Sequence, residues 1–271
     1  MTYFGFLIQF LIVPLFLLAG LTWWDQHRNI RLPMTLRSWP LGIVLGLHII
    51  IAVIYTTPWD NYLVATRVWW YDPNLVTGII LGWVPLEEYT FFVLQTLFTG
   101  LWLAFLVRRL PGKNYGSNPA YPQLRLILPL LVGLIWLGAI TILAVGWQPG
   151  TYLGLELAWA LPPIMLQLAF GADILWHYRR LVLLSLIPPT LYLSLVDTLA
   201  IGAGTWTIDP AQSLNLFLAG RLPVEEFIFF LLTNTLVTFG MVLALACQSR
   251  ARIPAMIKNL TNSDGQVVKT T

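Results

Sequence analysis

Two pairs of adjacent glutamates are the residues of this chain best suited to chemistry. Glu87-Glu88 follow Pro85 and Glu225-Glu226 follow Pro223, and each pair leads into Phe-Phe, so that Pro-x-Glu-Glu-x-x-Phe-Phe occurs twice, 138 residues apart. Each copy opens a long apolar run, at 93–107 and 231–246. Carboxylates at the mouth of a membrane helix are costly to place and are functional candidates by default. A carboxyl group in an apolar site, or beside a second carboxyl, can keep its proton at neutral pH and serve as a general acid. Neighbouring residues of a helix point about 100° apart. One glutamate of each pair is therefore expected to face a cavity while the other holds it by hydrogen bonding. Glu87 shares a face with Phe91, and Glu88 with Phe92. Proline at the first helical position with acids in the first turn is also ordinary helix-start chemistry. That accounts for one copy better than for two with the same Phe-Phe behind them.

The helices that must position these acids are written in the composition. The chain has 271 residues, 58% hydrophobic and 10% charged, where soluble domains carry about 25% charged residues. Continuous apolar stretches near the roughly 20 residues that cross a bilayer point to helices rather than a barrel. Seven spans are expected, at 3–21, 39–57, 76–107, 124–145, 152–172, 181–201 and 214–246. The stretch 3–21 has no basic residue before it and no small-residue cleavage site, which reads as a retained helix rather than a signal peptide. Cys247 is the single cysteine, which excludes an intramolecular disulfide.

Charge sets the expected orientation. Thirteen of the 15 basic residues, among them Arg28, Arg31, Arg37, Arg108, Arg109, Lys113, Arg179 and Arg180, fall on one side or in the C-terminal tail. The positive-inside rule then places the N-terminus outside and the C-terminus in the cytoplasm of a cell-membrane, multi-pass protein. An internal repeat runs through the pattern. Tyr55, Asp60 and Asp72-Pro73 match Tyr192, Asp197 and Asp209-Pro210 at an offset of 137, and the glutamate motifs match at 138 after one inserted residue. Residues 1–110 thus form a first repeat of spans 1–3 and 151–250 a second of spans 5–7. The linker 111–150 carries span 4, and 251–271 is a polar, disordered cytoplasmic tail. The extra span makes the two three-helix repeats parallel, with one cavity between them. The fold class is all-α, integral to the membrane.

The residues around the acids complete the expected site. Trp83, Tyr89, Phe91, Phe92, Phe227, Phe229 and Phe230 could line an elongated apolar pocket, and aromatic faces stabilise cations. Trp83 and Arg221 stand two residues before the two prolines. Desolvation near Trp83 would bias the first pair towards acid, and the cation near Arg221 would bias the second towards carboxylate. Asp60, Asp72, Asp197 and Asp209 are twelve apart within each repeat, a spacing that suits capping and loop roles better than a Mg²⁺-diphosphate site. Glu156 is a further acid without a counterpart in the other repeat, and His48 reads as a packed, hydrogen-bonded histidine. No dinucleotide fingerprint, P-loop or nucleophile elbow is present. None of the three lysines, Lys113, Lys258 and Lys269, could form a retinal Schiff base inside the bundle.

The doubled motif, with the doubled Asp-Pro upstream, resembles the membrane lycopene cyclase domain family in its fused form. On the motif positions Pro85, Glu87, Glu88, Pro223, Glu225 and Glu226, the resemblance implies a catalyst that cyclises the ψ ends of lycopene without net redox change, flavin or metal. It implies protonation at C2 by a carboxylic acid, ring closure on the C1 cation, and proton loss from C6 or C4 to a carboxylate, giving a β or ε ring. The partners implied are lycopene from the lipid phase, the membrane itself and other carotenoid-pathway enzymes, with no nucleic acid. A different polyprenyl or carotenoid enzyme, such as a transferase or hydratase, or a proton-coupled transporter would also use such acids. The orientation is checked with reporter fusions. Fusions at Asn114 and at the C-terminus should report the cytoplasm, and one after Asp209 the exterior; a cytoplasmic signal after Asp209 would remove the case for parallel repeats.

Overall fold

Long apolar runs in a solvent that offers no hydrogen bonds must close their own backbone bonds, and helices do so. The computed structural model describes residues 1–110 and 119–253. Seven of its helices are long and apolar enough to cross a membrane: α1 (Tyr3–His27), α2 (Leu41–Ala65), α3 (Leu86–Arg109), α4 (Leu124–Ala144), α5 (Thr151–His177), α6 (Arg179–Gly202) and α7 (Val224–Leu245). The chain is a multi-pass membrane protein. α1 contains one π turn at Ile8–Ile12. The tail beyond 253, with Lys258 and Lys269, and the loop holding Lys113 lie outside the described residues.

The two glutamate-bearing helices form the centre. α3 packs against α1, α2, α6 and α7, and α7 packs against α5, α6, α2 and α3, so the same neighbours recur on each side. Polar side chains tie the pair together where they meet. Gln95 Nε2 donates to Thr233 Oγ1 at 2.6 Å, and Thr99 Oγ1 donates to Asn234 Oδ1 at 2.6 Å. In an apolar medium such bonds join helices that gain little from hydrophobic contact. α4 stays at the periphery, packed on α5 and largely open to its surroundings.

The expected continuous spans 76–107 and 214–246 are each divided. Before α3 the chain forms β1 (Trp69–Tyr71) and a hairpin of β2 (Ile80–Leu81) and β3 (Val84–Pro85). Before α7 it forms β4 (Trp206–Ile208) and a hairpin of β5 (Phe217–Leu218) and β6 (Leu222–Pro223). Gly82 has φ +71 in the two-residue tip of the first hairpin, where a residue without Cβ is favoured. The second tip spans three residues, Ala219 to Arg221, between Leu218 and Leu222. The one-residue insertion between the motifs therefore sits in a hairpin tip. Pro85 and Pro223 are helix caps rather than first helical residues, each with extended backbone, and α3 and α7 begin one residue later.

β1 and β4 pair antiparallel, Trp69 with Ile208 and Tyr71 with Trp206, and join the two halves. Reciprocal backbone bonds extend the pairing, Asp209 N to Val68 O at 2.8 Å and Asp72 N to Thr205 O at 3.2 Å. At the opposite ends of the helices two buried aspartates are held by arginines. Arg109 binds Asp25 through both guanidinium nitrogens at 2.7 and 2.8 Å, and Arg252 binds Asp173 at 3.0 and 2.7 Å. Removing the cation of a buried pair leaves a stranded charge. Arg252→Met should therefore lower stability by about 3 kcal/mol, read as an earlier unfolding midpoint in detergent, with Arg125, 3.8 Å from Asp173, compensating little.

Candidate active site

Each hairpin and the first turn of the following helix set the direction of the two glutamates. The first member of each pair turns back to its own loop. Glu87 Oε1 accepts from Thr77 N at 2.6 Å, and Glu225 Oε1 accepts from Leu214 N at 2.7 Å and Ser213 Oγ at 3.0 Å. The second member, one residue on, points into a chamber between the halves. The expected split within each pair is thus found, with Glu88 and Glu226 facing the cavity. What Glu87 and Glu225 hold is the loop, not the neighbouring glutamate. The face is also revised: Phe91 lines the chamber with Glu88, whereas Phe92 lies on a second cavity.

Each chamber glutamate has a tyrosine donor from the first turn of a neighbouring helix. Tyr3 Oη donates to Glu88 Oε2 in a short hydrogen bond, and Tyr152 Oη donates to Glu226 Oε1 at 2.8 Å. Both tyrosines are placed by their backbones, Tyr3 N bonding Leu75 O at 2.7 Å and Tyr152 N bonding Gln212 O at 2.9 Å. Trp69 and Trp206 cross over between the halves. Trp69 packs on Tyr152 with ring centroids 5.2 Å apart, and Trp206 on Tyr3 at 5.0 Å. Phe229 and Phe230 complete the apolar wall.

Near the glutamates lie Asp60 and Asp197, each 1% exposed, and Asp197 is part of the chamber lining. This corrects the capping or loop role expected for them. Both are inside helices: α2 runs on past the expected span end at 57 and takes in Asp60, and Asp197 lies within the expected span 181–201, now α6. Asp60 lies near enough to Glu88, and Asp197 to Glu226 and Glu88, for their charges to interact. Neither aspartate oxygen has an aligned hydrogen bond. Glu156 is fully buried and near Glu226 and Glu225, also without an aligned partner. All ion pairs among the described residues lie elsewhere. Burying several unpaired charges together costs several kcal/mol per ion. The chamber is therefore built to hold protons among its carboxyl groups. Among the described residues no group of His, Cys, Asp and Glu is arranged to hold a metal ion.

The remaining candidates fall into place around this core. Asp72 and Asp209 do serve their loops, accepting from Asn74 N and Ala211 N at 2.9 Å each. Tyr89 pins the first hairpin, donating to Leu81 O at 2.8 Å and accepting from Asn61 Nδ2 at 3.0 Å. Phe227 is half-buried, outside the chamber lining. His48 is packed as expected, with Nδ1 2.7 Å from Val44 O. Trp83 is 64% exposed and Arg221 is exposed, both in the hairpin tips. The contrast between them does not reach the chamber, whose lining includes neither residue. Tyr3, Tyr71, Tyr152, Trp69 and Trp206 were not among the expected site residues. Trp69 and Trp206 match at the same offset of 137 that relates the aspartates, a usable signal. Tyr3 and Tyr152 match only at 149, because the loop after the first helix is longer.

The lycopene cyclase family model matches residues 1–106 and 149–244. The chain belongs to the lycopene cyclase family. A lycopene beta-cyclase of Halobacterium salinarum is 39% identical over 220 residues, 81% of this chain and 85% of that one. Bifunctional lycopene cyclase/phytoene synthases of Podospora anserina and Aspergillus oryzae are 40% and 35% identical, over 73% and 82% of this chain and 34% and 39% of theirs. No solved structure matches the chain. Both segments matched by the family model end inside a glutamate-bearing helix, so each contains a hairpin, a glutamate pair and a tyrosine.

The two roles within a pair separate experimentally. Glu87→Gln and Glu225→Gln keep a carbonyl acceptor for the loop amide and should fold normally. Glu87→Ala and Glu225→Ala leave the part-buried loop amides without their acceptor and should show as lowered unfolding midpoints and faster proteolysis near Thr77 and Leu214.

Proposed function

We propose that this protein is a lycopene cyclase of carotenoid biosynthesis, closing the ψ ends of lycopene to β rings by proton transfer alone. The observation that carries the reading is the pair Glu88 and Glu226, each on a tyrosine donor, facing one aromatic chamber that contains carboxyl groups and no cation. The β product follows the name of the haloarchaeal relative.

The residues suit each step. A carboxylic acid O–H in the chamber gives its proton to C2 of the terminal double bond, leaving a cation at C1. The C5–C6 double bond attacks C1; the C1–C6 bond forms and the cation moves to C5. A carboxylate takes the proton from C6, and a C5–C6 double bond remains. One proton is given and one returned, so the product is an isomer and no oxidant is consumed. The enclosing rings of Trp69, Trp206, Phe91, Phe229 and Phe230 face the migrating charge and exclude the water that would trap it. Tyr3 and Tyr152 orient the carboxyl groups. Asp60 and Asp197 add negative potential near them and share the proton store.

The same reading orients the molecule. The arginine-held ends at Asp25 and Asp173 face the cytoplasm of the cell membrane, and the chamber lies towards the outer leaflet. The two halves, 1–110 and 151–250, act as parallel repeats around the chamber, with α4 in the linker. Lycopene reaches them from the lipid, and other enzymes of the pathway supply and use the carotenoids.

The test is purified protein in liposomes supplied with lycopene and no flavin, nicotinamide or metal, with products separated by chromatography. Wild type should form β-ring carotenoid. Glu88→Gln and Glu226→Gln should each lose about 10²- to 10⁴-fold in rate, the worth of a positioned acid or base, while Glu87→Gln and Glu225→Gln keep most activity. Wild-type rates in both Glu88→Gln and Glu226→Gln would overturn the assignment. Activity that requires Mg²⁺ and a diphosphate substrate would favour a transferase, and proton flux without product a transporter.

A further inference from the structure

A second cavity adjoins the chamber, and the two share Phe229. It lies between α2, α3, α5 and α7 and is several times roomier than the chamber. An aromatic run leads from one to the other: Trp59 stacks on Trp159 at 4.4 Å and on Phe229 at 5.9 Å. The polar side chains in its wall mostly bond to the protein. Gln95 bonds Thr233 at 2.6 Å, His48 bonds Val44 O at 2.7 Å, and Gln167 Nε2 donates to Leu236 O at 3.0 Å, while Gln167 Oε1 and the hydroxyls of Thr56 and Thr96 have no partner among the described residues. Such a wall offers a ligand chiefly carbon surface, suited to a hydrocarbon and not to a charged group.

The cavity also has a way out to the lipid. α2 and α5 do not pack helix on helix beside it. They are bridged by side chains, Tyr55 Oη donating to Trp159 O at 2.9 Å and Trp59 Nε1 to Leu155 O at 3.0 Å. A surface groove beyond, lined by Ile54 and Pro58, shares Ile51, Tyr55 and Trp159 with the cavity.

The matching positions on the other side of the molecule carry bulkier residues. Tyr192, the counterpart of Tyr55, makes the matching bond to Phe10 O at 2.9 Å. There the counterpart of Leu236 is Phe98, packed on Tyr192 at 5.4 Å. Thr56 is replaced by the fully buried Leu193. Thr96 is replaced by Asn234, also fully buried, which donates to Thr190 at 3.1 Å.

We infer that the second cavity is a gallery that receives the polyene chain of the substrate while one ψ end occupies the chamber, and that the bulkier side forces the ends to be processed one per binding event. The inference rests on the cyclase reading above. Its chemistry is that of a long, uncharged, conjugated hydrocarbon entering sideways between α2 and α5. After the first ring closes, the chain must leave and return reversed before its other end meets Glu88 and Glu226.

The experiment uses the full chain in liposomes with lycopene in excess. Ala52→Trp and Leu236→Trp fill the gallery, and Leu195→Trp, a lipid-facing site on α6 that is 66% exposed, is the control. The gallery variants should raise the KM for lycopene about tenfold or more with a smaller change in kcat, and the control should not. In wild type, singly cyclised carotenoid should appear free in the lipid before any doubly cyclised product. Unchanged KM in both gallery variants would overturn the gallery. Doubly cyclised product formed without free intermediate would overturn the one-end rule, and this time course decides even if the variants fail to fold. If wild type does not cyclise lycopene, the cyclase reading fails on its own. The gallery is then judged by quenching of tryptophan fluorescence on lycopene binding: quenching lost in Ala52→Trp and kept in Leu195→Trp supports it, and equal quenching in both overturns it.

Discussion

Four carboxyl groups, from Asp60, Glu88, Asp197 and Glu226, share one apolar enclosure with no cation to neutralise them. Most of the architecture around the chamber can be traced to that constraint. The buried arginine bridges stand at the far ends of the helices on Asp25 and Asp173, where they fasten the bundle without discharging the chamber. Within it the negative groups are managed by hydroxyl donors and by retained protons. Donors must be held still to be effective, since a loose tyrosine would let water take its place. The backbone bonds from Tyr3 to Leu75 and from Tyr152 to Gln212 supply that rigidity.

Adjacency of the two glutamates then follows from local geometry. The acid that faces the chamber lies in the first turn of a helix, where the chain has just left a hairpin. Its position depends on how that hairpin and the preceding loop are seated. The neighbouring glutamate, turned about 100° away, bonds a loop amide, Thr77 N in one half and Leu214 N in the other. A single dipeptide thus provides the chamber-facing carboxyl and the tie that fixes its loop. The crossed contacts of Trp69 on Tyr152 and Trp206 on Tyr3 make each half part of the other's wall. Neither half encloses a dry chamber alone.

The number of spans and the duplicated acids were legible in the sequence because both are local or periodic signals. Apolar length marks a membrane helix whatever surrounds it, and identical motifs at a fixed offset survive any packing. The strands were not legible. β1 and β4 pair with each other across 137 residues of chain, and three-residue segments such as Trp69–Tyr71 carry no alternation long enough to be seen. The hairpins were hidden because residues such as Ile80, Leu81 and Val84 read as more helix. Asp60 was misplaced because the span was ended at 57, where hydropathy fell, and that fall marks the buried site inside α2 rather than the end of a helix. Asp197 already lay within the expected span 181–201, and its capping or loop role was read from its spacing to Asp209. Tyr3 and Tyr152 escaped because the first and second elements of the two halves are separated by loops of different length, so one offset does not relate all three helices.

The symmetry of the chamber bears on how acid and base are told apart. Each chamber glutamate has a tyrosine from its own half, an aspartate near it and a tryptophan from the other half above it. The visible difference between the motifs, Trp83 against Arg221, is confined to exposed hairpin tips. The frame is not fully even, because Glu156 beside Glu226 has no counterpart and Tyr71 beside Glu88 is matched by Ile208. A larger asymmetry lies below, where the space beside Phe229 is open and the side of Phe98 and Tyr192 carries bulkier residues. A chain lying in the open side brings its end group to the chamber from one direction, so C2 and C6 face different walls. Donor and acceptor are then set by the direction of entry. Two similarly placed carboxyl groups suffice for a reaction that gives one proton and takes back another, provided the substrate can lie only one way.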